Sequence, residues 1–594
     1  KNEMKKFLLA ASLCIGAFGA IAQTPTFNWA KLIDSSNGDL PSSLVASNDG
    51  KMLAFCNFGS KAEGDAVFYD GVQIGSGCAT TANSDNLNML LMKIDIDGAK
   101  LWNVYSDQGD IAIATSSVAA TPDGGAIAAL KMRYASGYSD KTPRLVGASG
   151  VQTLIADWNT GYRTYYVVLV KIDKNGNIEW TKKIDVDNSP EANASATYSA
   201  GTPDGVDANA IAADEDGYIY LGGRFRKAVT FSKVSGETVT LTPHNTIAWT
   251  GDSQTVNGDM FIVKLDAEGN YLNHIVSEGV IARDQVSDMV YADGKLYFYG
   301  NMKAAADGDQ VVLGGVSLSP SSLDDIVFGC VDKELNVVYA RNIKAYPASN
   351  NKHTLQCKTL DLIGGNLYMT GHIVGGFGPD DSTVASIAST GTMQEGFAIK
   401  CNAADGEWIG GVTNGKTIGG YYGVVKNTEK TYFYGYKLGE IFMDEYDENT
   451  FTKIGEIALV TGGGMSTAYS CLQIGDRFYS FSRCNANAPS QFYDTDVTLT
   501  SQGWGNVISC WTIGSTGTGI VGALENSSKM YGAQGALVVE TENAVAVQVY
   551  GITGQQMYSG VADAGISRIE LPKGIYVVNR SEERRVGKEC RSRW

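Results

Sequence analysis

Apolar and polar positions alternate along most of this chain in short runs broken by turn dipeptides, and no long stretch follows the 3.6-residue period of a helix. One unit shows the pattern most clearly. It runs through VDANAIAADEDG (206–217) and YIYLGG (218–223), and after an insertion through DMFIVKLDAEGN (259–270) and YLNHIV (271–276). These pieces predict four strands, A to D. Asp216-Gly217 joins A to B, and Asp49-Gly50, Asp123-Gly124 and Asp293-Gly294 repeat that junction. Asp-Gly supplies the positive φ that a two-residue hairpin turn requires. The C to D turns carry Gly98, Gly176, Gly269 and Gly406.

Strand C recurs as NMLLMKIDIDG (88–98), YVVLVKIDKNG (166–176), DIVFGCVDKEL (325–335), GFAIKCNAADG (396–406), EIFMDEYDEN (440–449) and NVISCWTIGS (506–515), making seven copies with the first. Such units bury their apolar faces only against one another, so seven copies predict seven stacked blades. Strand D carries Trp29, Trp102, Trp180 and Trp408 near its start, expected to cover the seams between blades. Tyr218 and Tyr220, Tyr297 and Tyr299, and Tyr432 and Tyr434 have the spacing of one strand face and read as core. The chain opens on FNWAKLI (27–33), a D strand without A, B or C, and its last C strand, NVISCWTI (506–513), has no D after it. Together they complete one blade, which predicts a closed ring.

These units resemble the bacterial β-propeller repeat family, in which an aromatic-x-x-Lys-x-Asp strand is paired with an Ala-x-Asp-x-x-Gly-x-x-Tyr hairpin. The likeness spans roughly Phe27 to Gly514 and departs where Glu445 and Cys510 stand at the position of Lys264. It implies an all-β fold, a seven-bladed β-propeller of four-stranded blades over residues 23–520.

The two ends read differently. Lys5 and Lys6, the apolar run Phe7 to Ile15 and the small-residue site Ala20-Ile21-Ala22 form a secretory signal peptide over residues 1–22, with cleavage expected near Ala22 and Gln23. Segment 521–579, with VQVYGITGQQ and the final LPKGIYVV, resembles the C-terminal sorting domain of the type IX secretion system, a small β-sandwich. That resemblance implies a Gram-negative source, delivery to the outer-membrane surface or the medium, and export machinery as one partner. An ordinary carbohydrate-binding sandwich is the alternative. The last family strand is missing where RSEERRVGKECRSRW (580–594) begins. This abruptly basic stretch matches the translation of a sequencing adapter and is expected to lie outside the natural chain, disordered.

Composition narrows the partners. A net charge of −17 repels phosphate backbones and anionic headgroups, which argues against nucleic acid and membrane-surface roles. No segment past the signal is apolar for the length of a membrane-spanning helix. Cys56, Cys78, Cys330, Cys357, Cys401, Cys471, Cys484 and Cys510 are scattered singly and without zinc spacing, so buried thiols are the leading reading. Cys56 with Cys78, and Cys471 with Cys484, are near enough in sequence for a disulfide test.

No catalytic, cofactor or metal motif stands out. The four histidines, 244, 274, 353 and 372, share no metal-ligand spacing, and sialidase boxes, Walker loops, G-x-S-x-G and H-E-x-x-H are absent. Asp95-x-Asp97-Gly98 and Asp173-x-Asn175-Gly-Asn177 read as hairpin turns rather than calcium loops. The long connections, B to C and D to A, should leave one face of the propeller, placing insertions 133–164, 185–205, 224–257 and 344–355 there. Their Tyr138, Trp158, Tyr162, Trp249 and Tyr346, with Arg144 and Arg163, form the candidate ligand-binding set. Packing of those rings beneath their own loops is the alternative. The leading function is therefore a secreted or cell-surface module that binds a glycan or a protein. A propeller glycosidase or polysaccharide lyase and a structural surface protein are the rivals.

Overall fold

The computed structural model describes residues 25–78, 88–133 apart from 109 and 112–116, 142–154, 165–187, 206–244, 258–347 apart from 280, 305 and 307, 354–513 apart from 381–385, 390–392, 416–418, 428–429, 486–487 and 502, and strands between 529 and 593. Two compact units divide between Ile513 and Gly514.

The first unit is a seven-bladed β-propeller. Blade 1 comprises Leu40–Ala46, Met52–Phe58, Asn88–Ile94 and Lys100–Gln108, its strands A to D. Blade 3 comprises Val206–Ala213, Ile219–Phe225, Asp259–Leu265 and Tyr271–Gly279. Blades 2, 4, 5 and 6 span 117–186, 281–346, 354–413 and 419–461. Blade 7 takes A, B and C from Met465–Ile474, Arg477–Asn485 and Trp504–Thr512, and its D strand is Thr26–Ser35. That N-terminal strand lies antiparallel to Trp504–Thr512, with Ile33 opposite Asn506, so the ring closes as the two fragments predict. Burial explains the patterning. Strand C of blade 1 is buried at every position because neighbouring blades cover both its faces, whereas strand D alternates.

The B to C insertions do something the sequence analysis did not anticipate. Where described, each folds as a hairpin laid against the D strand of the preceding blade. Asp65–Tyr69 with Val72–Gly77 extends blade 7, and Arg144–Gly147 with Gly150–Thr153 extends blade 1. Val229–Ser232, Val311–Leu313, Gly376–Pro379 and Ser490–Phe492 open the hairpins that extend blades 2, 3, 4 and 6. Blade 6 has a tight turn instead, with Leu438 and Gly439 at positive φ, and blade 5 stays four-stranded. The described parts of 133–164 and 224–257 thus run along the rim. Pairing there satisfies D-strand backbone groups that would otherwise face water, and each hairpin seats a wholly buried apolar side chain such as Val67, Leu145, Val311, Phe377 or Phe492.

Two sets of contacts bind blade to blade. Strand A carries a bulge in blades 1, 3, 4, 5, 6 and 7, which turns backbone groups toward neighbours. Leu44 N donates to Ser470 Oγ (3.0 Å), Ser117 Oγ to Ala208 O (3.0 Å), Leu360 N to Asp288 Oδ2 (3.3 Å) and Lys426 N to Gln473 Oε1 (2.8 Å). At the opposite face, Trp29 Nε1 donates to Ile96 O (3.2 Å) and Trp102 Nε1 to Lys174 O (2.9 Å) of the next blade. Trp180 packs over Gly269, and Tyr339 takes the same role over Gly406. Trp408 meets Phe377 at 6.1 Å, on the seam with the preceding blade. Tyr220, Tyr297, Tyr299, Tyr432 and Tyr434 are buried, in accord with their reading as core.

The second unit has two antiparallel sheets, Lys529–Ala533, Ala536–Thr541 and Gly565–Glu570 in one, and Gln556–Ala562, Val545–Gly551, Ile575–Ser581 and Lys588–Arg593 in the other. Leu537, Val539, Val547, Val549 and Ile569 fill the space between them. Within the basic tail, Lys588–Arg593 is a strand antiparallel to Ile575–Ser581. Edge pairing uses only main-chain groups, so it needs no apolar side chains from the tail. Among the described residues no helix is long and apolar enough to cross a membrane.

Candidate functional site

Strand direction gives the propeller two unlike faces. At the turn face, one Asx arrangement recurs. Asp173 Oδ1 accepts from Asn175 N and Asn177 N, both at 2.8 Å, while Asn177 Nδ2 donates to Oδ2 (2.9 Å). Asp266 and Asp332 repeat it with Asn270 and Asn336. These carboxylates are taken up by their own turns. Lysines of strand C tie the same face together, Lys93 Nζ reaching Asp49 (2.7 Å) and Lys171 Nζ reaching Asp123 (3.2 Å).

At the insertion face the buried groups are ionisable. Asp207 lies between Lys131, which donates to Oδ1, and Arg224, whose Nε donates to Oδ2 (2.6 Å). Burial pushes the Asp207 carboxyl up, but the two cations outweigh it and hold it below the usual carboxylate range. Asp284 Oδ2 accepts from Met260 N (3.0 Å) and from Ser277 Oγ, while Oδ1 is buried without a hydrogen-bond partner. Burial first, and the nearby Asp259 charge, raise its pKa to about 8. His244 reaches Asp259 from the surface, N donating to Oδ2 and Nδ1 lying 3.7 Å away. Asp207, Asp259 and Asp284 are all fully buried or within 1% of it.

Across the ring, where blade 7 meets blade 1, the same face carries Trp504, 39% exposed. Its indole lies under the Arg483 guanidinium, with Cζ 4.4 Å from a ring centroid. Trp504 is fixed by its backbone, since Asp39 N donates to its carbonyl (2.8 Å) and Gly38 bridges to it.

Of the candidate ligand-binding residues, Tyr138, Trp158, Tyr162, Arg163 and Trp249 lie outside the described residues. Arg144 sits on the hairpin added to blade 1 and grips Asp107 with both arms, Nε to Oδ1 at 2.7 Å and Nη2 to Oδ2 at 2.8 Å. Tyr346 ends strand D of blade 4, 39% exposed, opposite Gly376. The described structure does not bring Arg144 and Tyr346 together; they belong to different sheets. Among the described residues the eight cysteines are free and buried. Burial raises the Cys330 and Cys510 thiols to about 11, which keeps them protonated and unreactive. Among the described residues no group of three or more His, Cys, Asp or Glu side chains could hold a metal ion.

No protein-family model matches the chain, and no curated protein does. Solved structures similar to it include propellers, all at low identity. The Dos1 propeller is 9% identical with a TM-score of 0.37, covering 83% of this chain and 96% of that one. The β-propeller domain of Cps50 (Swd1) from Myceliophteria thermophila is 8% identical with a TM-score of 0.32, covering 82% and 100%. The polysaccharide lyase Uly1 is 10% identical with a TM-score of 0.32, covering 81% and 90%. Likenesses this weak leave the functional argument to the chain's own residues.

Proposed function

We propose that this protein is a secreted or cell-surface binding module that engages a glycan or protein ligand through the insertion face of its propeller. The half-exposed Trp504 carries the reading: a rigidly held indole stacked with a cation, on the face from which the long connections leave, is a binding anchor. The acidic surface, at a net −17, supports a ligand other than nucleic acid. The signal-like N terminus and sorting-type sandwich support export to the cell surface, with the export machinery as a second partner. A glycosidase or lyase is the second reading: Asp39, Asp284 and Asp325 are buried, but burial also raises the carboxyl pKa values of the half-buried Asp288 and Asp361, on strand A of blades 4 and 5, to about 6 and about 7.

Glycan and protein arrays probed with purified residues 23–520 test the proposal. A saturable ligand whose binding is lost on altering insertion-face residues is the expected result; a silent array, or turnover of a polysaccharide by the same preparation, counts against it. For export, a reporter carrying residues 521–579 completed with a family-like last strand should reach the surface of a type IX-competent host. Reporter held in the periplasm would refute that half.

A further inference from the structure

The binding reading leaves the ligand open, and the following step rests on it while naming the chemistry of one subsite. Trp504 opens strand C of blade 7, Arg483 lies near the end of the adjoining strand B, and Gly38-Asp39 leads into blade 1. Gly38 lies against both side chains: a Cβ there would stand 3.3 Å from Arg483 Nη2 and 3.7 Å from Trp504 Cδ1. Among the described residues Arg483 has no ion pair, and its buried Nε has no hydrogen-bond partner. The carboxyl beside it does not supply the missing charge. Asp39 is fully buried, accepts from Ser35 Oγ and from Gly59 N (3.1 Å), and leaves Oδ2 without a partner. Burial raises the Asp39 pKa, favouring its neutral acid, and burial lowers that of Arg483, as expected for a cation short of an anion.

We propose that the Trp504–Arg483 platform is a subsite for a carboxylate-bearing pyranose, a uronosyl residue of an acidic polysaccharide. The flat C–H face of the sugar would stack on the exposed part of the indole, and its carboxylate would meet the guanidinium, whose planar fork matches carboxylate geometry. A peptide ligand fits this spot less well. Trp504 is flanked by Asn485 on one side and Gly38 on the other, and its carbonyl is already bonded to Asp39 N, so a peptide main chain finds no ladder to join.

Isothermal titration of the full chain with galacturonate and glucuronate oligosaccharides, a neutral glucose oligosaccharide and a poly-glutamate peptide tests the assignment. The expected result is salt-sensitive binding of a uronate series over the neutral sugar and the peptide. Binding should weaken about tenfold in Arg483→Gln and in Trp504→Ala, roughly the value of one charged hydrogen-bonded or stacked contact. Arg483→Lys and Trp504→Phe, which disturb the fold less, should each keep part of the affinity, and uronate-induced quenching of Trp504 fluorescence should vanish in Trp504→Phe. Equal binding of neutral sugar, preference for the peptide, uronate binding unchanged in folded variants, or none in the wild type would each overturn the subsite. An array ligand indifferent to Trp504 and Arg483 would sink this assignment alone. A silent array would remove the binding reading with it.

Discussion

The two faces of the propeller are built on different physics. At the turn face the recurring carboxylates have local partners: Asp173, Asp266 and Asp332 are consumed within their own turns, and Lys93 and Lys171 bridge to partly exposed aspartates of their own blades. At the insertion face buried carboxylates also draw partners from other blades. Asp207 of blade 3 answers Lys131 of blade 2, and Asp284 of blade 4 hangs on Ser277 of blade 3. Local turns repeat because a short hairpin leaves the backbone few choices, whereas long connections leave N–H groups that only buried polar side chains can satisfy. Asp325, accepting from Ser321 N (2.7 Å) and Ala345 N (2.8 Å), shows that second solution. A binding surface evolves on the face where the chain is free to vary.

The largest effect should come from the element that touches both faces. Deleting Phe27 to Ile33 removes the strand lying between Trp504–Thr512 and Asp65–Tyr69, and with it the edge-to-face contact of Phe27 with Trp511 at 5.2 Å. The propeller should then lose its single cooperative melt in calorimetry; an unchanged transition would disprove ring closure. Next comes Asp207→Ala, which strands Lys131 and Arg224 without their shared anion inside the protein. It should cost about 3–5 kcal/mol in urea unfolding. Asp173→Ala at the turn face should cost only about 1 kcal/mol, the worth of a capping side chain. Equal costs would erase the distinction between the faces.

That distinction also governs what the sequence could reveal. Strand C, the Asp-Gly turns and the complementary end strands were legible because a period of two and a positive-φ dipeptide are local signals. The rim hairpins were not read, although Tyr69-Asp70-Gly71-Val72 and Leu313-Gly314-Gly315-Val316 carry the same kind of turn inside the insertions. Even with those turns noticed, nothing local says that a hairpin joins the preceding blade. Trp504 falls two positions before the strand C that the sequence marks from Asn506, and its place between Gly503 and Gly505 sets it apart from a packed strand residue. Lys131, Arg224 and Asp284 carry no local signal because their meaning lies in partners 7 to 76 positions away on other strands.

A smaller, pH-dependent effect separates the faces again. The Asp284 pKa of about 8 in the folded protein lies above the unfolded value of about 4 for aspartate, so the native state holds the proton more tightly. The stability this adds is complete below pH 4 and is lost as pH rises toward 8. Melting temperature should therefore fall over that window, and Asp284→Asn should flatten the fall, by an amount on the order of a few kcal/mol at pH 8. A wild-type profile as flat as the variant's would show that Asp284 ionises freely.

At the turn face the comparable probe is steric. Gly176 has φ 87° and a Cβ there would lie 2.8 Å from Trp102, whereas Gly217 has the same φ but open space, its nearest neighbour 3.7 Å away. Gly217→Ala should cost about 1–2 kcal/mol, the strain of the left-handed backbone alone. Gly176→Ala should add about 1–3 kcal/mol for overpacking against the indole. The difference measures the tryptophan seam directly, and equal losses would mean that the seam yields freely.

The smallest effect concerns Arg144, the one candidate binding residue whose partner is fully seen. Its fork to Asp107 joins a rim hairpin to blade 1, but the Arg144 side chain is 38% exposed, so water screens the pair and competes for both ends. What holds the hairpin is the ladder from Leu145 and Val146 to Ser106 and Tyr105, together with the wholly buried Leu145. Arg144→Ala should then lower stability by less than about 1 kcal/mol, and a double-mutant cycle with Asp107→Ala should give a coupling of that size that shrinks in salt. A larger, salt-insensitive coupling would mean that the charged clip, rather than the ladder, secures the rim. Because the guanidinium is already committed to Asp107, Arg144→Ala should also leave ligand affinity unchanged while Arg483→Gln reduces it, a pair of outcomes that would place the proposed binding chemistry at the seam between blades 7 and 1 rather than on the hairpins.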